Sequence, residues 1–523
     1  MDMEGWLKET IGRLPDIFRS DVEGLIRDGD FISFARSYVG ELSSLSDPLA
    51  RIADELGLSE GRKKDAGRKP GTESCQRSGA ADDHGASEAG ETDKAVKSGA
   101  DKTSEVDETV KARINETDRI DEATKSKAEA SERLREWLAS AYRQAEGGER
   151  AAEAGDRLLL ADSAAGALEL AIRALLKPGD AVLVESPSSP EALWALHRRG
   201  AVIVPVQCDR DGMLPDDLRR QLRAAKPALV YVTPLHSTGP SGAVWSQQRM
   251  LALLEQCDRH RVPIVEDGTA CGVPGFARAA GRGGADGPVT APEGGKVTGG
   301  AGPAPARPQG AGVPRVGTAS VRAASDSIFS LWLSQAKWRR TSVVLLDSFE
   351  RALFPSLPLA WLRGDTAMLT RLTAARTEEA GLASASNQTC LMLYKLLRDD
   401  RFSLSEHTAA VLDELNTRRI YMKELLTGRE WRKAEVHDPG RGLFLWVRLP
   451  EGIVSEALLK ASMLEGVAFT PGIRCYAASE DLKQSPITEG DWIRLNYAAY
   501  PAMGIAEGIA RIEDALAEFT ARS

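Results

Sequence analysis

The chain has 523 residues, a formal net charge of −9 and 42% hydrophobic residues; the length points to roughly two to four domains, and the acidic balance offers no electrostatic basis for binding nucleic acid. No run of about 18 apolar residues occurs, so no membrane-spanning helix is expected. The six cysteines are scattered, without a Cys-x-x-Cys pair or a neighbouring histidine, which speaks for packing residues rather than disulfides or metal ligands.

The opening stretch, MDMEGWLKETIGRLPDIF, is acidic where a leader would be basic and has no long apolar core, so a cytoplasmic protein is expected. Residues 1–60 read as amphipathic helix with a break near Asp28-Gly29-Asp30, and Phe31–Phe34 as a short strand. Residues 61–130 are rich in Lys, Glu, Asp, Ser, Gly and Ala with almost no large apolar side chain. Such a segment cannot bury enough surface to offset its ordering entropy and reads as a disordered or loosely helical insertion.

From 131 onward strands and helices alternate. Helices are expected at 133–145, 164–176, 190–199, 218–225 and 248–260, and strands at 157–161, 181–185, 201–204, 228–232 and 263–266. Lys177-Pro178-Gly179-Asp180 stops the second of these helices. Residues 277–325 are dominated by Gly, Ala and Pro, the composition of a flexible loop or linker. Val343 opens an apolar run that suits a buried strand, followed by a polar turn at Asp347-Ser348. Long helices from about 376 and a strand at 442–448 suit a smaller α+β unit. The alternation implies an α/β fold with a parallel-leaning sheet covered on both faces. The expected division is an arm and part of the small domain over 1–60, the large domain over 131–276 and 326–400, and the small domain over 401–523. Without the two insertions about 400 residues remain.

The segments LKPGDAVLVESPSSP, YVTPLHSTGPSG, VPIVEDG, VVLLDSFERALFPSLPLAW, RGLFLWVRLPEG, VAFTPG and WIRLNYA occur in this order. In content and order they resemble the class I/II aminotransferases, fold type I enzymes that use pyridoxal phosphate. The likeness covers about 131–275 and 340–515. It extends to the aminotransferase-like domain of the regulator branch, here without room for a winged helix-turn-helix ahead of it. The resemblance implies a large, mostly parallel sheet domain with a smaller α+β domain. It also implies a homodimer with sites at the interface, pyridoxal phosphate as cofactor, and amino acids and 2-oxo acids as substrates.

Carried over residue by residue, the family pattern is only partly kept. The lysine that holds the cofactor corresponds to Arg351, whose guanidinium stays charged and is a poor nucleophile. Lys337, in SQAKWRR, is the alternative, although it lies upstream of the apolar run. The phosphate turn corresponds to Asp162–Gly166, with Ala164 and Ala165 offering backbone N–H groups; the other reading is an ordinary turn with Ser163 as N-cap. Ser189 stands where a ring stacks on the cofactor. Gly239 stands where an Asn reaches the cofactor hydroxyl, with Thr238 beside it, and Thr269 stands for a Tyr. Asp267 matches the Asp that pairs with the pyridine nitrogen, although an Asp at a strand end also caps turns. Ser348 matches a phosphate-binding hydroxyl, and Pro358 replaces a phosphate-binding Arg. Arg494 matches the Arg that grips the substrate carboxylate, the alternative being a surface Arg on a strand. No histidine spacing suggests a metal, and the Gly-rich stretch holds no phosphate loop.

Two readings of function follow. One is a class I/II aminotransferase-family protein, catalytically degenerate because Arg351 holds the lysine's place. The other is a non-catalytic module on the same fold that binds a small carboxylate or a protein partner.

Overall fold

A computed structural model of the chain describes residues 10–12, 16–35, 43–56, 129–145, 158–235, 244–269, 273–274, 277, 327–335, 337–338, 340–378, 385–428, 431–440, 442–477 and 492–522. Nearly all of the two expected insertions, and the expected cofactor contacts at Thr238 and Gly239, lie outside these residues.

The first half of the chain gives α1 (Asp16–Arg27), β1 (Ile32–Ser33), α2 (Ser43–Glu55), α3 (129–145), β2 (Leu158–Ala161), α4 (Ala164–Leu175), β3 (Ala181–Ser186), α5 (Pro190–Arg198), β4 (Val202–Asp209), β5 (Gly212–Met213), α6 (Pro215–Ala225), β6 (Leu229–Val232), α7 (Gln247–His260) and β7 (Ile264–Asp267). The second half gives α8 (Ile328–Ser334), β8 (Val343–Ser348), β9 (Ala360–Arg363), α9 (Thr366–Glu378), α10 (Asn387–Arg398), α11 (Leu404–Leu425), β10 (Glu435–His437), β11 (Phe444–Arg448), α12 (Ser455–Leu464), β12 (Val467–Ala468), β13 (Thr470–Pro471), β14 (Trp492–Asn496) and α13 (Ala502–Arg522). Several bounds differ from the expected ones. The strand expected at 201–204 runs on to Asp209, because β5 folds back on it as a short hairpin. The helix expected from 218 begins at Pro215, whose fixed φ and missing N–H suit a first helical turn. The helix expected from 133 begins at 129, inside the stretch read as insertion, and Ala130 packs in its core.

An eight-stranded sheet runs in the order β2-β9-β8-β7-β6-β3-β4-β5. Its centre, β8 to β4, is parallel, while β9 pairs antiparallel with both β8 and β2. Successive side chains on a strand face opposite ways. Accordingly Val182 and Val184 pack with Leu168, Leu193 and Leu362 on one face, and Leu183 packs with Leu218, Leu254 and Phe329 on the other. Burial on both faces explains why these strands read as continuous apolar runs.

The smaller unit holds the antiparallel sheet β10-β11-β14-β13, backed by α11, α12 and α13. The N-terminal segment joins it: β1 pairs with β12 in parallel, and Asn496 N–H donates to the Phe34 carbonyl at 3.0 Å. Among the described residues, no helix is long and apolar enough to cross a membrane.

Candidate active site

The carboxyl ends of β2, β3, β6, β7 and β8 lie along one edge of the large sheet, the edge at which open α/β sheets bind ligands. Four of these strands hand polar residues to this edge. β2 gives Asp162, Ser163 and Ala164; β3 gives Ser188, Ser189 and Glu191; β7 gives Asp267 and Thr269; β8 gives Ser348, Glu350 and Arg351. The small sheet contributes Arg494 from the middle of β14, opposite Trp446 and Thr470.

At the start of α4, Ser163 caps the helix by accepting the Gly166 N–H at 3.0 Å. A Cβ at Gly166 would come 2.0 Å from Asp162 Oδ1, so a larger residue there would have to displace the exposed Asp162 side chain. Ala164 N–H donates to Glu350 Oε1 at 2.8 Å. The expected anion seat is therefore met by a carboxylate of the same chain. Burial pushes the Glu350 carboxyl up from its ordinary value, against the opposing pull of the Ala164 N–H and of Arg351.

Asp267 is buried at the end of β7, with both oxygens engaged. Oδ2 accepts from the Tyr231 hydroxyl at 2.7 Å, and Oδ1 accepts from the Thr269 N–H at 2.9 Å and from the Thr269 hydroxyl. Thr269 thus braces Asp267. Burial, and the neighbouring Asp267 carboxylate, push the Tyr231 phenol well above its usual pKa.

Arg351 is half-buried, in the first turn after β8. Burial opposes its charge, but Glu191, Asp267 and Glu350 surround it and outweigh that cost, holding the guanidinium above its ordinary pKa. Ser348 is spent within the same turn: its hydroxyl donates to the Leu359 carbonyl and accepts the Glu350 N–H, each at 3.0 Å. Pro358 is exposed, and so is Lys337, whose ammonium lies 4.6 Å from the centre of the Trp338 ring.

Ser189 caps α5, accepting from Ala192 N–H at 3.4 Å, and its hydroxyl donates to Glu191 Oε2 at 2.7 Å. Glu191 Oε1 lies 3.7 Å from Arg494 Nη2, an ion pair too long for a hydrogen bond. Burial raises the Glu191 carboxyl, but Arg494 and Arg351 outweigh it and hold it below its ordinary value. Arg494 is 1% exposed and stacks on Phe444, 4.1 Å from the ring centre. The alternative of a surface Arg is thereby excluded. Its Nε and Nη2, like Glu191 Oε1, have no hydrogen-bond partner among the described residues. No group of three or more His, Cys, Asp or Glu among the described residues is arranged to hold a metal ion.

The structure thus brings Ala164, Ser189, Asp267, Thr269, Ser348, Arg351 and Arg494 to one edge, with Ala165 in the same first turn of α4. Three participants were not singled out in the sequence: Tyr231, Glu191 and Glu350. Tyr231 sits in an otherwise apolar buried strand, where a phenol must find a partner for its hydroxyl. Glu350 directly precedes Arg351, and Glu191 stands in the first turn of a helix.

The family model described as aminotransferase class I and II matches residues 96–269. Aromatic-amino-acid aminotransferase 1 of Thermococcus litoralis is 24% identical over 362 residues, covering 67% of this chain and 70% of that protein. The uncharacterized HTH-type transcriptional regulator YdfD of Bacillus subtilis is 19% identical over 373 residues, covering 70% of this chain and 62% of that one. Among solved structures, LysN, the α-aminoadipate aminotransferase of Thermus thermophilus complexed with N-(5'-phosphopyridoxyl)-L-leucine, superposes with a TM-score of 0.59 at 19% identity, covering 98% of each chain. The strand order, the edge on which the polar residues gather and these matches agree, and the chain is similar to the aminotransferase class I and II family in sequence over residues 96–269 and in fold.

Proposed function

We propose that this chain is a family member that does not transaminate and that keeps a seat for a small carboxylate, an amino acid or 2-oxo acid, at Arg494. One observation carries the reading: the position that matches the cofactor lysine, in the turn directly after β8, holds a guanidinium, Arg351. An Arg so placed offers no deprotonated amine for an imine.

The residues present do not fit pyridoxal phosphate. The Ala164 N–H is taken by Glu350, and both Asp267 oxygens are taken by the chain's own donors. Ser189 offers no ring to stack on, and the Ser348 hydroxyl is consumed within its own turn. Catalytic groups act as a unit, so these losses compound. What remains intact is Arg494, desolvated and short of hydrogen bonds, a guanidinium suited to both oxygens of a carboxylate.

In this reading the protein is a cytoplasmic homodimer, as the family implies, and its ligand is bound rather than turned over. The test is incubation with pyridoxal phosphate, borohydride reduction and peptide mass spectrometry, followed by an assay of amino transfer to 2-oxoglutarate. The expected result is no reduced adduct at position 351 and no turnover. A lysine adduct accompanied by turnover overturns the reading. A thermal-shift screen of amino and 2-oxo acids tests the seat, which is refuted if a ligand stabilises wild type and Arg494→Ala equally.

A further inference from the structure

We propose that Glu350 and Arg351 together occupy the cofactor's place, as an internal ligand built into the turn after β8. This rests on reading position 351 as the replaced lysine, and it adds what took over the vacated interactions. The family's cofactor presents two charges to its pocket, an anion at a helix N-terminus and a protonated ring nitrogen against an Asp. The Glu350–Arg351 pair presents the same two. The Glu350 carboxylate takes the Ala164 N–H at 2.8 Å, at the start of α4. The Arg351 guanidinium lies within the field of Asp267 and Glu191.

The core holds the pair in position. Phe349 N–H donates to the Leu359 carbonyl at 3.1 Å, Glu350 N–H to Ser348 Oγ at 3.0 Å, and Leu353 N–H to the Phe349 carbonyl at 3.1 Å. Phe349, Leu353 and Leu359 are each 0% exposed. The turn therefore cannot swing aside without unpacking. An external phosphate must compete with a carboxylate tethered at the seat, and tethering raises the effective concentration of the internal competitor to the millimolar range, ~1 mM or more. One positive and one negative side chain, adjacent in sequence, thus replace the charge pair of a molecule that the chain no longer holds covalently.

Pyridoxine 5'-phosphate carries the cofactor's ring and phosphate but no aldehyde, so it reports on the seat without forming imines at other lysines. Failure of this test is thereby distinguishable from failure of the non-catalytic reading, which is judged on the reduced adduct. Asp162 is close enough to act on Glu350 and would also repel a phosphate. All comparisons are therefore made in an Asp162→Asn background. Titration calorimetry is run on that background alone, on it with Glu350→Ala, and on it with Glu350→Ala and Arg351→Ala. The background is expected to bind pyridoxine 5'-phosphate at least tenfold more weakly than the variant lacking both side chains, with Glu350→Ala between them. Inorganic phosphate should bind only where Glu350 is absent. Equal binding by the background and the double replacement overturns the proposal, because the seat was then never filled. A folded double replacement that gains no binding overturns it as well, because the pair is then not what closes the seat. Should the double replacement fail to fold, Glu350→Ala with inorganic phosphate carries the same test with the same two outcomes.

Discussion

Removing Glu191 should expose how much of the site's stability depends on satisfying Arg494. The two side chains are 3.7 Å apart, with 14% of the Glu191 side chain and 1% of Arg494 exposed. At an effective dielectric of about 20, charges at that separation attract by about 4–5 kcal/mol. Breaking a buried pair by deleting one partner typically costs about 3–5 kcal/mol, because the survivor is left desolvated and uncompensated. The residual exposure of Glu191 reduces this to about 2–4 kcal/mol. With an unfolding entropy near 2.1 cal/mol/K per residue over about 400 residues, Glu191→Ala should lower Tm by about 2–5 °C. The loss should be partly reversed by acetate, which supplies the missing carboxylate; a ligand at about 100 times its Kd restores about 2.7 kcal/mol. Acetate should not rescue Glu191→Ala combined with Arg494→Ala. The pH dependence has a definite sign. The folded-state pKa of Glu191 is depressed from 4.5, so its contribution is complete above that value and is lost as pH falls through the folded pKa. The Tm gap between wild type and Glu191→Ala should accordingly close in acid. Scanning calorimetry across pH, with and without acetate, decides the matter. A Glu191→Ala protein as stable as wild type at pH 7, or acetate acting equally on the doubly substituted protein, would refute the reasoning.

Arg351→Lys alone should restore no measurable amino transfer, since Ser189, Thr269 and Pro358 still lack the ring, the phenol and the guanidinium of the family pattern; strong turnover by this single variant in the 2-oxoglutarate assay would show that those losses are tolerated. His407 stacks on Phe354, and its Nε2 lies 2.9 Å from the Leu353 carbonyl. Burial lowers its pKa from 6.5 despite that contact, so its contribution is present above 6.5 and declines as pH falls toward the folded value. The stability gap between wild type and His407→Gln should therefore narrow between pH 7.5 and 5, and a widening gap in urea melts would contradict this. Gly508→Ala should destabilise by about 1–3 kcal/mol through overpacking, because the added Cβ would lie 2.4 Å from Phe34 Cζ in a fully buried ring. If its Tm equals or exceeds that of wild type, the packing of the N-terminal segment against α13 is looser than described.

The fold was legible because its signals are redundant. Strands buried on both faces cannot hide their apolar runs, and the helix stop at Lys177–Asp180 and the Pro at the start of α5 mark boundaries by backbone chemistry alone. Among the short pairings, β1 was read as a strand at Phe31–Phe34, but β5 and β12 were not legible. β5 has two residues and β12 has two, too few for any periodicity, and they are strands only because a partner backbone is at hand. At the site, Asp267 and Arg494 were found through the motifs around them. Glu191 and Glu350 were missed because a motif records what the family keeps, whereas these carboxylates act where the family's pattern has been lost.

The resemblance itself rests largely on residues that pack. In Val343–Trp361 the recognisable residues are mainly the packed ones. Phe349, Leu353, Phe354, Leu359 and Trp361 are 0% exposed, and the Phe349 and Trp361 rings meet edge to face with centroids 4.8 Å apart. Truncating such side chains to Ala costs about 3–5 kcal/mol for the aromatic ones, a large share of a typical folding free energy of about 5–15 kcal/mol. Residues 350, 351 and 358 project from the same frame toward the site or solvent, so they change without cost to the core. If position 351 is that of the cofactor lysine, as proposed, the pocket it leaves does not become neutral. The Ala164 N–H, Asp267 and Arg494 lie at or near its walls, and buried polar groups left unpaired are costly. In that reading, loss of the cofactor favours side chains that reproduce its charges, and Glu350 at the anion seat and Arg351 within the field of Asp267 are arranged in that way.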